Sequence, residues 1–311
     1  MIDAPPARRA PAGPPSSARP ARLSRVNAAL MPWLYLLPAL ALLISFTYIP
    51  VGSMVGYSFT DWDGLGADPA FVGVDNYVQL FTRPELFQVF FVSLYYLAAA
   101  AVQIVVALYF AFILSLNTRL RGLFKGILFF PYLINGVAVS FVFLYFFRPH
   151  GTLDSVLALF GAHPDKLWLG DPDLVNASLS GVSVWRFLGL NFVLFLGAIQ
   201  AIPGELYEAA ELDGANRWQV FRHIVAPGIR PIISLSVILA ISGSLSVFEI
   251  PFVMTGGAGE SKTFVIQTIK LAFQFNKFGL ASAAAVVLLL IVLLITWVQR
   301  RLVPEERTDL T

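Results

Sequence analysis

The residue types that most often catalyse reactions or bind metals are scarce and widely separated in this chain. Cysteine is absent, which excludes disulfides and thiolate metal sites. The histidines, His150, His163 and His223, lie far apart and lack the spacing of a zinc site. The neighbouring carboxylates Glu305 and Glu306 belong to a charged tail. We therefore predict that the chain is not an enzyme and binds no metal or cofactor of its own.

One segment differs by a single residue from a phosphate-binding P-loop. It runs from Gly256 to Thr263, and Ser261 stands before Lys262, where the P-loop pattern has glycine. No strand is predicted before it, although a P-loop follows a strand. We reject this segment as a nucleotide site, so ATP hydrolysis linked to the chain must take place in another subunit.

Polar side chains within long apolar segments are costly, and they usually face a cavity or another helix. Those found here are mostly hydroxyl, amide and aromatic groups, which suit a neutral polyol such as a sugar. One alternative is that they only hold helices together. Another is that Arg186 and Glu249 pair with each other or extend to the membrane surface. We favour Asn191, Glu249 and Gln103 as solute contacts. The full set of candidates for a substrate pathway is Asn191, Glu249, Gln103, Asn135, Tyr132, Ser246 and Arg186.

Helical spacing places several polar groups on common faces. Ser242, Ser246 and Glu249 are separated by four and three residues, so one helix would carry them on one side. Tyr96 precedes Gln103 by seven residues, and the same argument puts both on one face of another helix. We predict that such faces line the pathway.

The polar loop over residues 203–230 has the pattern of two short helices joined at a glycine. It lies between the apolar segments that end at Ile202 and begin at Pro231. Residues 205–212 favour a helix, and Gly214 can end it by adopting a positive φ. After it, Trp218, Phe221 and Ile224 recur at helical spacing and give an apolar stripe suited to the membrane face. By spacing alone, this is an ordinary amphipathic cytoplasmic loop.

Six apolar segments are long enough to cross a membrane as helices, which takes about 20 residues. The composition agrees, because 57% of the residues are hydrophobic and 13% are charged, too apolar for a soluble fold of this length. We predict an all-α membrane protein with six transmembrane helices. The predicted spans are Trp33–Tyr57, Phe87–Leu116, Gly126–Phe147, Val175–Ile202, Pro231–Met254 and Leu280–Val298.

Lysine and arginine are unevenly divided between the two sides of these spans. With the N-terminus in the cytoplasm, 14 of the 21 fall on the inner side, 6 on the outer side, and Arg186 within a span. Positive residues concentrate on the cytoplasmic side, so both termini are predicted to be cytoplasmic. This orientation puts the P-loop-like segment on the outer side, where ATP is not available.

Both ends of the chain are predicted to lie outside the membrane domain, which we place at residues 26–303. Residues 1–25 are rich in proline, alanine and arginine and are predicted to form a disordered cytoplasmic tail, and residues 304–311 form a short C-terminal tail. The first apolar segment is too long for the core of a signal peptide, so we expect an uncleaved first helix. The outer loops are too short for a substantial globular domain, so any specific capture of solute outside the membrane is done by another protein or does not occur.

The loop over residues 203–230 resembles the EAA loop of ABC importer permeases of the carbohydrate type, which include maltose, trehalose and glycerol-phosphate permeases. The resemblance covers about Leu30–Val303 and includes the outer segment Phe71–Phe81. Glu249 stands where the family often has aspartate and Ala258 where it often has proline, and neither departure upsets the assignment. The residues that fit the family pattern are Glu208, Ala209, Ala210, Asp213, Gly214, Ala215, Phe221, Ile224 and Pro227 in the loop and Pro231 directly after it.

This resemblance implies the type I ABC importer permease fold and a place in a larger complex. The loop would be a coupling helix that docks on a separate ATPase subunit, with Glu208 meeting the ATPase and Gly214 shaping the turn. The implied partners are a second homologous permease, two ATPase subunits that use ATP and Mg²⁺, an extracytoplasmic solute-binding protein and membrane lipids, and no nucleic acid. The complex would lie in a prokaryotic plasma membrane and import a di- or oligosaccharide by alternating access.

Other transport functions stay open at this point. Within the same family, the solute could be glycerol-phosphate or another polyol, although no cluster of basic residues for a phosphorylated solute is predicted in the pathway. A secondary transporter would want ionisable groups near mid-membrane and often an internal repeat. Arg186 and Glu249 are the charged residues within the predicted spans, both lie toward the outer side, and the two halves show no repeat. A channel would leave the EAA-like loop unexplained.

Overall fold

The computed structural model describes residues 22–66, 69–116, 121–162 and 166–302, and the regular structure in these ranges is helical. An isolated antiparallel bridge pairs Thr60 with Phe71. The prediction of an all-α chain is confirmed. The chain divides into two compact units after Ser53. The predicted C-terminal tail and residues 1–21 of the predicted N-terminal tail lie outside the described residues.

Five helical segments in these ranges are long and apolar enough to cross a membrane, and a bent pair of helices makes a possible sixth span. Their positions match the six predicted spans, with ends that differ by a few residues. The direction in which they cross stays a prediction, so "outer" and "cytoplasmic" below refer to the predicted orientation. The segments are Met31–Tyr57, Pro84–Ser115, Gly122–Leu133 with Gly136–Phe146, Pro172–Gln200, Arg230–Thr255 and Phe278–Arg301.

Short helices and turns connect or extend the spans, and they are numbered in chain order. The elements are α1 (Arg22–Leu43), a π-helical turn (Ile44–Tyr48), α2 (Ile49–Tyr57), α3 (Asp75–Thr82), α4 (Pro84–Phe87), a 3₁₀ turn (Gln88–Phe91), α5 (Val92–Leu116), α6 (Arg121–Leu133), α7 (Gly136–Phe146), α8 (Thr152–Leu159), α9 (Pro172–Gln200), α10 (Gly204–Leu212), α11 (Arg217–Val220), a second π-helical turn (Phe221–Val225), α12 (Ala226–Gly228), α13 (Arg230–Leu245), α14 (Glu249–Thr255), a second 3₁₀ turn (Gly259–Ser261), α15 (Phe264–Phe273) and α16 (Phe278–Leu302).

The third span is broken, which its apolar sequence does not predict. Helices α6 and α7 meet at an angle of 96°. Pro131 lies near the end of α6, where its ring removes a backbone hydrogen bond. Asn135 then leaves the helical conformation, and its side-chain oxygen accepts a 2.8 Å hydrogen bond from the Val137 N–H. Asn135 is therefore the N-cap that restarts the helix in a new direction.

The fifth span is also interrupted, because α13 ends at Leu245 and α14 begins at Glu249. Phe248 has φ −141° and ψ −57°, outside the helical region. One uninterrupted helix was the basis for placing Ser242, Ser246 and Glu249 on one face. The non-helical Phe248 lies between Ser246 and Glu249, so regular helical spacing does not hold across the break.

The most extensive helix–helix packing among the described residues joins the second and fourth spans. Ala107 and Ala111 of α5 have no exposed surface, and their small side chains let α5 approach α9 closely. They share a buried cluster with Phe192 of α9 and with Val225 and Ile229 from the segment that follows α10. This core, referred to below as the inner cluster, connects the cytoplasmic loop to two spans.

Candidate functional site

A cavity of about 590 Å³ lies between the second, third, fourth and fifth spans. Its walls are mainly apolar, with aromatic rings from Tyr132, Phe187 and Phe248 and polar groups spaced between them. A largely apolar pocket with a few fixed polar groups is the usual form of a small-molecule site.

Six of the seven predicted pathway residues line this cavity. Four separate helical elements and one interhelical break supply them, which is why no single sequence pattern brings them together. Asn135 is not among the lining residues, and its side chain caps α7. Ser242 does not line it either, although Ser246, whose N–H donates to the Ser242 carbonyl, does. The six lining residues are Gln103, Tyr132, Arg186, Asn191, Ser246 and Glu249.

The charged groups of the cavity wall are paired with each other. Arg186 Nη1 of α9 lies 2.6 Å from Glu249 Oε2 at the start of α14, which is a charge-assisted hydrogen bond. The guanidinium also lies 5.1 Å from the centroid of the Phe187 ring. The sequence left open whether Arg186 and Glu249 pair with each other or extend to the membrane surface, and the structure shows that they pair.

Gly136 makes this pairing possible at the break of the third span. A Cβ atom at this position would overlap both the Glu249 carboxylate and the Arg186 guanidinium. The glycine therefore lets the backbone at the start of α7 approach the ion pair directly. The pair joins the fourth span to the restart of the fifth and packs on the restart of the third.

Two buried hydroxyl groups of the cavity wall have no hydrogen-bond partner among the described residues. They are Tyr96 Oη and Ser236 Oγ, and the residues are 3% and 1% exposed. Tyr96 was placed by its spacing with Gln103, whereas Ser236 was missed. Ser236 precedes Gly243 and Ser244, which also line the cavity, by about two helical turns, and this spacing is the signal that could have found it.

The loop between the fourth and fifth spans contains the predicted helix, turn and helix. Helix α10 ends at Leu212, Gly214 has φ +71°, and the Ala215 N–H donates to the Ala210 carbonyl over 2.9 Å, which closes the helix end. Asn216 and Gln219 then form a reciprocal capping box that starts α11. The predicted local conformation is confirmed.

One side of this loop is exposed and acidic, and the other is anchored in the protein. Glu208 lies on the exposed side of α10. The Tyr207 hydroxyl donates to the Ile199 carbonyl at 3.4 Å, and partial burial raises the pKa of Tyr207. Phe221 contacts Phe112 of α5 with ring centroids 5.2 Å apart. Trp218 is 65% exposed and stacks on the Phe221 ring with centroids 5.5 Å apart, so the predicted apolar stripe runs from the surface of the loop into the protein.

The P-loop-like segment from Gly256 to Thr263 lies between α14 and α15. It follows a helix rather than a strand, and Gly256, Gly257 and Gly259 all have positive φ. This context differs from that of a nucleotide-binding loop, which follows a strand.

The chain is similar to known membrane components of transport systems. Residues 103–308 match the family model described as "binding-protein-dependent transport system inner membrane component". The chain is 33% identical to the probable ABC transporter permease protein YurN of Bacillus subtilis, over 82% of this chain and 89% of that protein. It is 30% identical to the multiple sugar-binding transport system permease protein MsmF of Streptococcus mutans, over 87% and 94% of the two chains.

A solved structure shows the same fold. A chain of the bacterial alginate ABC transporter, in complex with an alginate pentasaccharide-bound periplasmic protein, superposes with a TM-score of 0.77 at 21% sequence identity. The match covers 90% of this chain and 96% of that one. The overall fold of this chain therefore also occurs in an experimental structure.

Proposed function

Because the chain belongs to the family of binding-protein-dependent transport system inner membrane components, we propose that it is the permease subunit through which an ATP-driven importer carries a di- or oligosaccharide. One observation carries the proposal: the EAA-like loop is exposed and acidic on one side and anchored in the inner cluster on the other. The name of MsmF, a multiple sugar-binding transport system permease, supports a sugar as the solute.

The anchoring gives a physical route from the loop to the cavity. Val225 of the loop and Phe192 of α9 pack in the same buried cluster, and Asn191 beside Phe192 lines the cavity. Phe221 makes a second contact, with Phe112 of α5. Since a close-packed interior transmits displacement rather than absorbing it, movement of the loop would move the spans that form the cavity.

Alternating access is the mechanism that this arrangement supports. A loaded solute-binding protein docks on the outer loops, and ATP closes a pair of ATPase subunits. The loop from Glu208 to Ala226 carries that motion to the spans as a rigid-body displacement. The cavity then opens outward, receives the solute, and opens inward after hydrolysis. The energy comes from the ATPases, and the role of this chain is to move and to bind.

The chemistry of the cavity suits an uncharged saccharide. The rings of Tyr132, Phe187 and Phe248 offer flat apolar faces to the C–H faces of a sugar, and the amides of Gln103 and Asn191 can donate to and accept from its hydroxyls. Glu249 neutralises Arg186, so the wall formed by the described residues offers no unpaired cation to a phosphate or carboxylate. This argues against a phosphorylated solute.

The proposal includes a set of partners. A second, homologous permease completes the pathway, two ATPase subunits with ATP and Mg²⁺ engage the EAA-like loops, and an extracytoplasmic solute-binding protein delivers the sugar. Both termini are placed on the cytoplasmic side of a prokaryotic plasma membrane, as the distribution of lysine and arginine favours.

Gentle purification from the native host tests the proposal. We expect mass spectrometry to identify a second permease and a Walker-motif ATPase that purify with this chain. The solute-binding protein recovered or encoded with them would then be screened against neutral and acidic oligosaccharides. If the chain purified alone and transported a solute into liposomes without ATP, a secondary carrier or a channel would replace the importer.

A further inference from the structure

Helix α3, in the outer loop after the first span, is held at the level where that span ends. The Asn76 side-chain amide donates to the carbonyls of Ser58 and Thr60 over 2.9 and 2.8 Å. The Tyr77 hydroxyl donates to Ser58 Oγ over 2.7 Å. These bonds leave α3 little freedom to move toward water or toward the bilayer centre.

The same region is bound to the beginning of the last span. The Gly279 N–H donates to the Trp62 carbonyl over 2.9 Å, and a Cβ at Gly279 would overlap the Thr60 carbonyl. Leu80 of α3 is 1% exposed and packs in one cluster with Leu280 of α16. Helix α3 is therefore attached beside the ends of two segments that are long and apolar enough to cross a membrane.

The surface of α3 has three sectors with different chemistry. One sector faces the protein and contains Asn76 and Leu80. A second is exposed and polar and begins at Asp75. The third is an exposed apolar stripe, spaced four and three residues apart so that its members share one face. The stripe consists of Val74, the N-cap residue of α3, with Val78 and Phe81, and these residues are 60%, 52% and 58% exposed.

The stripe is continuous with the exposed surface of a membrane span. The Phe81 and Phe87 rings have centroids 5.7 Å apart, and Phe87 and Phe91 have centroids 6.3 Å apart. Phe91 stands directly before α5 and is 56% exposed, as is Leu94 in its first turn. One apolar strip therefore runs from α3 onto the second span.

We propose that α3 is an interfacial helix whose stripe contacts the lipids of the outer leaflet at the boundary between headgroups and acyl chains. A helix with an apolar face and a polar face binds in this zone with the apolar face buried about 5–10 Å. The protein-facing sector and its hydrogen bonds fix its depth, the polar sector faces water, and the stripe meets lipid. The inference rests on the membrane spans of the chain and is independent of the solute.

Lipid fits the stripe better than the solute-binding protein does. A protein that docks and leaves in each transport cycle would return these apolar side chains to water every time, and interfaces of that kind carry more polar surface than permanent ones. Lipid covers the stripe throughout the cycle. Continuity with the second span also points to the same surroundings for both surfaces.

Single-cysteine labelling tests the inference, since the chain has no cysteine of its own. The variants Val74→Cys and Phe81→Cys report on the stripe, and Asp75→Cys, on the polar sector of the same helix, is the matched control. Each is labelled with a nitrobenzoxadiazole maleimide and reconstituted, with the subunits that purify with it, into phosphatidylcholine and phosphatidylglycerol vesicles with ordinary or brominated acyl chains.

We expect brominated lipid to quench the labels at positions 74 and 81 several-fold more strongly than the label at position 75, and aqueous iodide to show the opposite order. Equal iodide quenching at all three positions would overturn the inference. Protection of the stripe from both quenchers would assign it to another subunit instead. Iodide protection that develops only on adding the solute-binding protein would assign it to docking, and either result excludes a lipid contact.

Discussion

Arg186 and Glu249 are 63 residues apart in the sequence, yet their side chains meet at 2.6 Å on the cavity wall. Arg186 is the more buried partner, because 15% of its side chain is exposed, against 39% of the Glu249 side chain. Arg186 Nε is buried and has no partner among the described residues. The pair therefore satisfies a cation that has few other partners, and it connects two spans at the point where the fifth is broken.

Replacing Glu249 by glutamine should leave the Arg186 charge poorly compensated and destabilise the protein by about 1–3 kcal/mol, the usual cost of an unsatisfied buried polar group. The partial exposure of Glu249 favours the lower end of that range. Thermal unfolding in detergent measures the loss. The control is the exchanged pair, Arg186→Glu with Glu249→Arg, which should lose less stability than its two single variants lose together. If the loss in the exchanged pair equalled the sum of the two single losses, the two residues would act separately.

Gly136→Ala should destabilise the chain, because the added methyl group overlaps the ion pair. Gly181→Ala is a matched control, since a Cβ at Gly181 meets nothing within 4 Å in the described structure. That control should be neutral or stabilising by up to about 1 kcal/mol, the helix-propensity difference between glycine and alanine. The comparison uses the unfolding temperature of both variants in the same detergent. Equal unfolding temperatures for the two variants would mean that α7 does not need a glycine at position 136 to approach the Arg186–Glu249 pair.

Gly214→Val should strongly reduce solute-stimulated ATPase activity of the assembled transporter. Nothing lies within 4 Å of a Cβ at this position, so the effect comes from the φ of +71°, which β-branched residues rarely adopt. Asparagine adopts a positive φ more readily than valine does, so the variant Gly214→Asn should keep most of the activity. A valine variant with full stimulation would remove the turn from the coupling mechanism.

Glu208→Arg should abolish the same stimulation while leaving the fold intact, because Glu208 is exposed and its replacement removes an acid from the surface expected to meet the ATPase. Glu208→Asp keeps the charge and should retain part of the activity. Co-purification of the ATPase with each variant separates loss of docking from loss of coupling. Full stimulation of the arginine variant would exclude Glu208 from the contact.

Asn191→Ala and Gln103→Ala should each weaken uptake by removing amide groups from the cavity wall, and complex assembly should be unchanged. Each lost hydrogen bond to an uncharged solute is worth about 0.5–1.5 kcal/mol, or roughly two- to tenfold in affinity. Ser242→Ala is the control, because Ser242 lies on the same span as Ser246 but outside the cavity. Unchanged transport kinetics in both amide variants would exclude them as solute contacts.

Local sequence signals predicted much of this molecule. The lengths of the apolar segments predict the positions of the spans, because a helix needs a fixed number of residues to cross the hydrocarbon core. Gly214 predicts the end of α10, because positive φ is cheap for glycine alone. The spacing of Tyr96 and Gln103 places both on one wall of the cavity.

The same signals did not predict the breaks in the third and fifth spans. Pro131 in the third span and Pro251 after the break in the fifth do not by themselves predict an interrupted helix, because prolines occur in straight membrane helices when neighbouring groups satisfy the freed carbonyls. Asn135 was consequently placed in the pathway, whereas its side chain forms the N-cap of α7. Ser242 was grouped with Glu249 by a helical period that the break interrupts.

The sequence by itself determined that this chain is an all-α membrane protein with an EAA-like loop, because hydrophobic length, charge distribution and short-range spacing are local properties that act before any two helices meet. Tertiary structure alone decided that Arg186 pairs with Glu249, that Gly136 lies against that pair, and that the apolar stripe on α3 is left exposed. Those relationships depend on the angles at which helices from distant parts of the chain pack, and packing angles are fixed by many side chains together rather than by the spacing of a few.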